Sequence, residues 1–169
     1  TMLHELGHAV GLKHPHEVQG GFPAMPGDRD SIEFSVMSYR SYVGQKGLAY
    51  ENADGSYPQS LMMYDTAALQ EMYGANYAFR DTDTTYAWDA RTGQLAVDGA
   101  AGPKPVGAKV FLTIWDGGGS DTYSFASYSN NLKVDLSPGG WTVTAKAQLA
   151  ALGSGHSARG NIANALLHD

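Results

Sequence analysis

Hydrophobic and polar positions change rhythm near the middle of this chain. Residues 65–76 carry Ala68, Leu69, Met72 and Tyr73 at three- and four-residue spacing, the period of a helix with one buried stripe. Asp65 opens that run, where a carboxylate favours the helix dipole and can cap free N–H groups, and Gly74 lies just past its end. From about Phe79 onwards the helical period fades, and alternating apolar residues among Asp, Thr and Gly replace it. The alternation predicts short strands over 109–115, 122–126, 132–136 and 141–145, separated by Gly, Asn, Ser and Pro turns. The Tyr-, Gly-, Ser- and Asn-rich stretch between Met37 and the helix reads as loop. The pattern is α+β, with residues 1–78 forming one part and residues 79–169 an all-β second part.

The start of the chain carries the densest chemistry. His4, Glu5, His8, Gly11 and His14 spell H-E-x-x-H-x-x-G-x-x-H. On a helix, positions four apart share a face, so His4 and His8 can present two imidazoles to one metal ion. Glu5 is then close enough to reach a metal-bound water without ligating the metal. Gly11 can adopt the left-handed conformation that ends a helix, and the turn returns His14 as a third ligand. Three neutral nitrogens and one open position describe a catalytic zinc site rather than a structural one, and the chain has no cysteine to close the shell. Five specified residues at this spacing coincide by chance on the order of once in ten million positions.

Ser35, Val36, Met37, Ser38 and Tyr39 follow at a distance suited to a loop returning beneath the metal. Taken alone, Met37 reads as core filler and Tyr39 as a half-buried tyrosine. With the histidine motif they resemble the metzincin metallopeptidases, whose methionine turn forms an apolar floor under three histidines. His14-Pro15 and the Ser-Val-Met-Ser-Tyr run further resemble the serralysins, secreted bacterial zinc endopeptidases, as does the Tyr-Gly-Ala-Asn ending of the helix. The resemblance implies that Tyr39 is a movable phenol, a fifth zinc ligand at rest and a donor to the oxyanion in turnover. It implies the C-terminal part of a metzincin catalytic domain, followed by the start of a calcium-binding β region.

Asp116-Gly117-Gly118-Gly119-Ser120-Asp121 is close to one unit of the G-G-x-G-x-D calcium repeat, with Asp116 in place of the first glycine. Two aspartates five apart can turn carboxylates toward one hard cation, or simply make a solvated turn. The serralysin resemblance implies calcium held by Asp116, Asp121 and the carbonyls of Arg80, Thr82, Thr84 and Gly118. Little Lys or Arg lies nearby in sequence to offset the two carboxylates.

A net charge of −6 argues against nucleic acid, and no apolar run reaches the length of a membrane span. The resemblance implies an extracellular protein acting on extended polypeptides. Thr1 falls about one turn before His4, so the expectation is a piece of a longer protein that needs the N-terminal half of its own catalytic domain. A rival class is a non-catalytic calcium-binding β module whose zinc motif is a relic. His16, His156 and His168 read as surface residues without a role.

Overall fold

The computed structural model describes residues 2–166. Two helices, α1 (Met2–Ala9) and α2 (Met63–Tyr73), precede nine short strands. The strands are β1 (Thr85–Trp88), β2 (Leu95–Val97), β3 (Ala100–Ala101), β4 (Leu112–Ile114), β5 (Thr122–Ser124), β6 (Trp141–Thr142), β7 (Ala151–Gly153), β8 (His156–Ser157) and β9 (Ile162–Asn164). The α+β class expected from the pattern is what the chain adopts.

Helix α1 ends as its sequence requires. Gly11 takes φ 94°, the Leu12 N–H donates to Gly7 O, and the Gly11 N–H donates to His8 O. These two bonds are a Schellman motif with glycine at the left-handed position. Leu12 is buried below the helix, and a Cβ on Gly7 would meet Leu12 Cδ1 at 3.4 Å.

Helix α2 is anchored by a carboxylate. Asp65 Oδ2 accepts the N–H groups of Met62 (2.8 Å) and Val36 (2.7 Å), and Oδ1 accepts the Ser35 hydroxyl (2.6 Å). The helix starts at Met63, before the expected position, so Asp65 caps it as the third residue by reaching back to Met62. The other two tie the helix start to the segment around Met37, which the pattern along the chain did not reveal. The expected apolar stripe is corrected: Ala68, Met72 and Tyr73 are exposed, while Met63, Asp65 and Gln70 are buried. Leu69 of the expected stripe is partly buried, packed against the cluster that holds Met37. Near the far end of α2 the Tyr73 hydroxyl bonds the Val10 carbonyl at the end of α1 (3.0 Å).

The strands form three small sheets, ordered β3-β2-β1-β5, β4-β9-β6 and β7-β8. Two pairings are parallel and join distant segments, β1 with β5 and β4 with β9. Of the expected strands, 109–115 contains β4, 122–126 contains β5 and 141–145 contains β6. Residues 132–136 are corrected: they make only an isolated bridge, Lys133 to Val143. Val134 and Leu136 are exposed there, so no apolar layer holds the segment flat.

Burial runs across the whole chain. One cluster unites Leu12, Ile32, Val36, Met37 and Met62 with Phe111, Ala150, Leu152 and Ala158. A second holds Tyr86, Trp88, Val110, Leu112 and Ile162 between the strands. Phe111 and Leu112 are neighbours that face opposite clusters, the alternation of a strand buried on both sides. Buried Glu33 accepts the Arg159 N–H (2.9 Å) and Nε–H (3.3 Å), a further link between the two ends of the chain.

Candidate metal centre

Helix α1 sets His4 and His8 on one face, and the turn at Gly11 brings His14 to them. One ring nitrogen from each lies within 4.8 Å of the others. His4 is buried and His8 is exposed at the rim. The His4 Nδ1–H donates to Val36 O (2.8 Å), and the His8 Nδ1–H donates to Leu12 O (3.0 Å). His14 Nδ1 faces the Glu17 carboxylate at 3.1 Å. Each histidine therefore has Nδ1 engaged with an acceptor, which fixes the tautomer and leaves Nε2 as the ligating atom.

His8 Nε2 and His14 Nε2 stand 3.0 Å apart. Nitrogens bound tetrahedrally to zinc at 2.0–2.1 Å lie about 3.4 Å apart. The His8–His14 pair fits that ion with a shift of a few tenths of an ångström. Burial lowers the His4 pKa, and the neighbouring His8 and His14 lower it further, against the bond to Val36. The neutral ring is the form that ligates.

Tyr39 stands over this cluster, its ring centroid 5.2 Å from that of His4 and 4.6 Å from that of His14. Beyond it, Tyr50 lies at 6.1 Å and Tyr57 follows at 5.8 Å from Tyr50. Burial pushes the Tyr50 phenol up to about 12, with Tyr39, Tyr57 and Glu5 adding to the effect. Glu5 is exposed on α1, and its charge reaches both His4 and Tyr50. Met37 lies beneath, 1% exposed, and a Cβ on Gly7 would collide with its sulfur. Glycine at position 7 is what lets the methionine approach the helix.

Two residues at this site were missed in the sequence. Glu17 holds His14, and the spacing of three residues between them is the signal that could have found it. His16 is corrected from a plain surface residue. Its side chain is 14% exposed, and its ring stacks on that of His14 at 5.4 Å and 10°. His156 is exposed and stacks on Tyr42 at 3.8 Å. His168 lies outside the described residues.

The two segments of the second expected site lie against each other. The Thr84 N–H donates to Asp121 Oδ1 (3.0 Å), and the Gly117 N–H donates to Phe79 O (2.9 Å). Asp116 Oδ1 accepts the Gly118 N–H (3.1 Å), and its Oδ2 accepts the Tyr86 hydroxyl (2.5 Å). A Cβ on Gly119 would lie 2.5 Å from the Thr82 carbonyl carbon, and one on Gly117 would lie 2.5 Å from Phe79 O. Glycine thus allows 116–121 to lie directly on the backbone of 77–84, where the Thr84 carbonyl accepts the Thr122 N–H (2.9 Å) and the Thr82 carbonyl accepts the Thr84 hydroxyl (3.0 Å). Asp116 and Asp121 share the wall of a cavity of about 210 Å³. The oxygen-rich donor set suits a hard cation. The expectation of little basic compensation is corrected, because Arg80 Nη1 donates to the Tyr86 hydroxyl (3.1 Å) that bonds Asp116.

Comparison with known proteins agrees with this architecture. Residues 75–144 match the family described as Peptidase M10 serralysin C terminal. The chain is 36% identical over 143 residues to Metalloprotease AprA of Pseudomonas entomophila (strain L48), covering 80% of this chain and 28% of that protein. It is 35% identical over 139 residues to Serralysin A of Dickeya chrysanthemi, covering 82% and 28%. Against the Serralysin of Proteus mirabilis it is 30% identical over 151 residues, covering 84% and 28%. Over about four fifths of its length the chain is similar to serralysin-type M10 metalloproteases. It spans a little over a quarter of the length of these relatives.

Proposed function

We propose that this chain carries the zinc-binding and catalytic residues of a secreted, extracellular zinc endopeptidase that cleaves extended polypeptides. The convergence of His4, His8 and His14, each with Nδ1 held by an acceptor, is the observation that carries this reading. Zinc supplies a Lewis acid that polarises a carbonyl and acidifies water. The three Nε2 atoms would hold it, and Met37 would form the apolar floor of a methionine turn. Glu5 takes the proton of the attacking water and passes it to the leaving amine. The Tyr39 hydroxyl donates a hydrogen bond to the oxyanion. Residues 1–78 supply this machinery. Residues 79–169 supply a calcium site from Asp116, Asp121 and the carbonyls of Arg80, Thr82, Thr84 and Gly118.

The test is caseinolysis by the longest natural form of the protein. Glu5→Gln should cost at least a hundredfold in kcat with zinc content unchanged. Retention of most activity would remove Glu5 from the mechanism. Metal analysis separates this reading from a calcium-binding module with a relic motif: the enzyme carries about one zinc per chain, the module calcium without zinc.

A further inference from the structure

Beside the three histidines lies a second cluster of ligand atoms, from His14, His16 and Glu17, mutually within 4.8 Å. His14 Nδ1 is engaged with Glu17 Oε1 at 3.1 Å, and His16 Nε2 lies 3.9 Å from the same oxygen. His16 Nδ1 is buried with no hydrogen-bond partner. Nε2 is therefore the ring nitrogen that can meet an ion. Glu17 is half-exposed, with its side chain at 46%, so its carboxylate can turn.

We propose that His16 Nε2 and the Glu17 carboxylate form a second, weaker site for a transition-metal dication, adjoining the site proposed above through His14. An imidazole nitrogen and a carboxylate oxygen suit zinc or copper. Ligands on a tetrahedral ion lie about 3.4 Å apart, so the 3.9 Å separation closes with a small rotation of an exposed side chain. One Glu17 oxygen can keep the His14 N–H while another lone pair of the carboxylate meets the ion. Two protein ligands, and no acceptor for His16 Nδ1–H, make this site weaker than the three-histidine site by about a hundredfold or more. An ion here draws electron density from Glu17 and so loosens its hold on His14. Excess zinc then weakens the first site that the second adjoins.

Zinc titration of the full chain, followed by calorimetry and by the ring-nitrogen NMR signals of the histidines, tests this. The expected result is one tight equivalent and one weak one, the weak one moving the His16 signals. His16→Gln should remove the weak equivalent and leave the tight one, Glu17→Gln should weaken it at least tenfold, and His156→Gln should change neither. Circular dichroism checks that each variant is folded. A wild-type chain with no weak equivalent overturns the proposal, as does a weak equivalent kept by His16→Gln. Loss of the tight equivalent alone from the wild type would count against the three-histidine reading instead.

Discussion

At the scale of single residues, Asp65 does the most with the least exposure. Burial raises its carboxyl to about 6, against the opposing pull of Ser35, Val36 and Met62. A carboxyl raised in the folded state binds its proton more tightly there than in the unfolded chain. Its effect on stability is therefore most favourable below about pH 4 and falls away as pH rises through about 6. The difference between these limits is on the order of 3 kcal/mol. Asn at this position can keep both N–H bonds through its oxygen and donate to Ser35 Oγ in place of accepting. Denaturant unfolding of the wild type should lose stability between pH 4 and 6 relative to Asp65→Asn. A constant difference across that range would show that Asp65 titrates normally. Glu17 acts on a different quantity. Glu17→Gln should lower zinc affinity of the three-histidine site roughly 10- to 100-fold, read by chelator competition, with little change in unfolding. The meeting of His4, His8 and His14 was legible because their spacing is written in the primary sequence. Asp65 was legible as a cap but not as the brace of the Met37 segment, because contacts 29 and 30 residues apart leave no local pattern.

At the scale of elements, the glycines of the 116–121 loop separate conformational need from mere composition. Gly119 has φ 100° and no room beside the Thr82 backbone, whereas a Cβ on Gly118 would meet nothing nearer than 3.7 Å. Gly119→Ala should destabilise by about 2 kcal/mol or more, through a left-handed penalty and a clash with backbone that cannot rotate away. Gly118→Ala should stay within about 1 kcal/mol of wild type. Equal thermal shifts for the two would mean that the loop does not lie on residues 77–84 as described. The strand elements show where pattern reading stops. Asp98-Gly99 joins β2 to β3 and Ser154-Gly155 joins β7 to β8, all four residues at positive φ. Such dipeptides are hairpin signals. They were passed over because the flanking strands are two or three residues long, too short to show alternation. Residues 132–136 do alternate, yet lack a layer to bury against.

At the scale of the whole molecule, separate buried clusters hold different parts of the chain, and the proposed calcium site adds to one of them. The cluster beneath α1 draws Phe111, Leu152 and Ala158 against Met37 and Met62, so the floor of the proposed zinc site is built partly from residues far along the β region. That continuity was not legible, since parallel pairing of β4 with β9 spans a long stretch of chain before it closes. The proposed calcium loop would clamp a different place, the start of β1 against the start of β5, where Thr85 pairs with Thr122. An ion bound only to the folded state adds roughly 2.7 kcal/mol at a hundredfold excess over its dissociation constant. Removing it leaves Asp116 and Asp121 on a tight turn, with the Arg80 charge reaching Asp116 only through the Tyr86 hydroxyl. EGTA should therefore raise amide exchange in β1, β5 and the 116–121 loop first. The amides of α1 and β7, whose packing rests on the other cluster, should keep their protection until global unfolding. Hydrogen exchange resolved by segment checks this order. Unchanged protection of residues 110–136 in EGTA would rule out calcium as the clamp. Simultaneous loss in α1 would mean that the two clusters open as one cooperative unit.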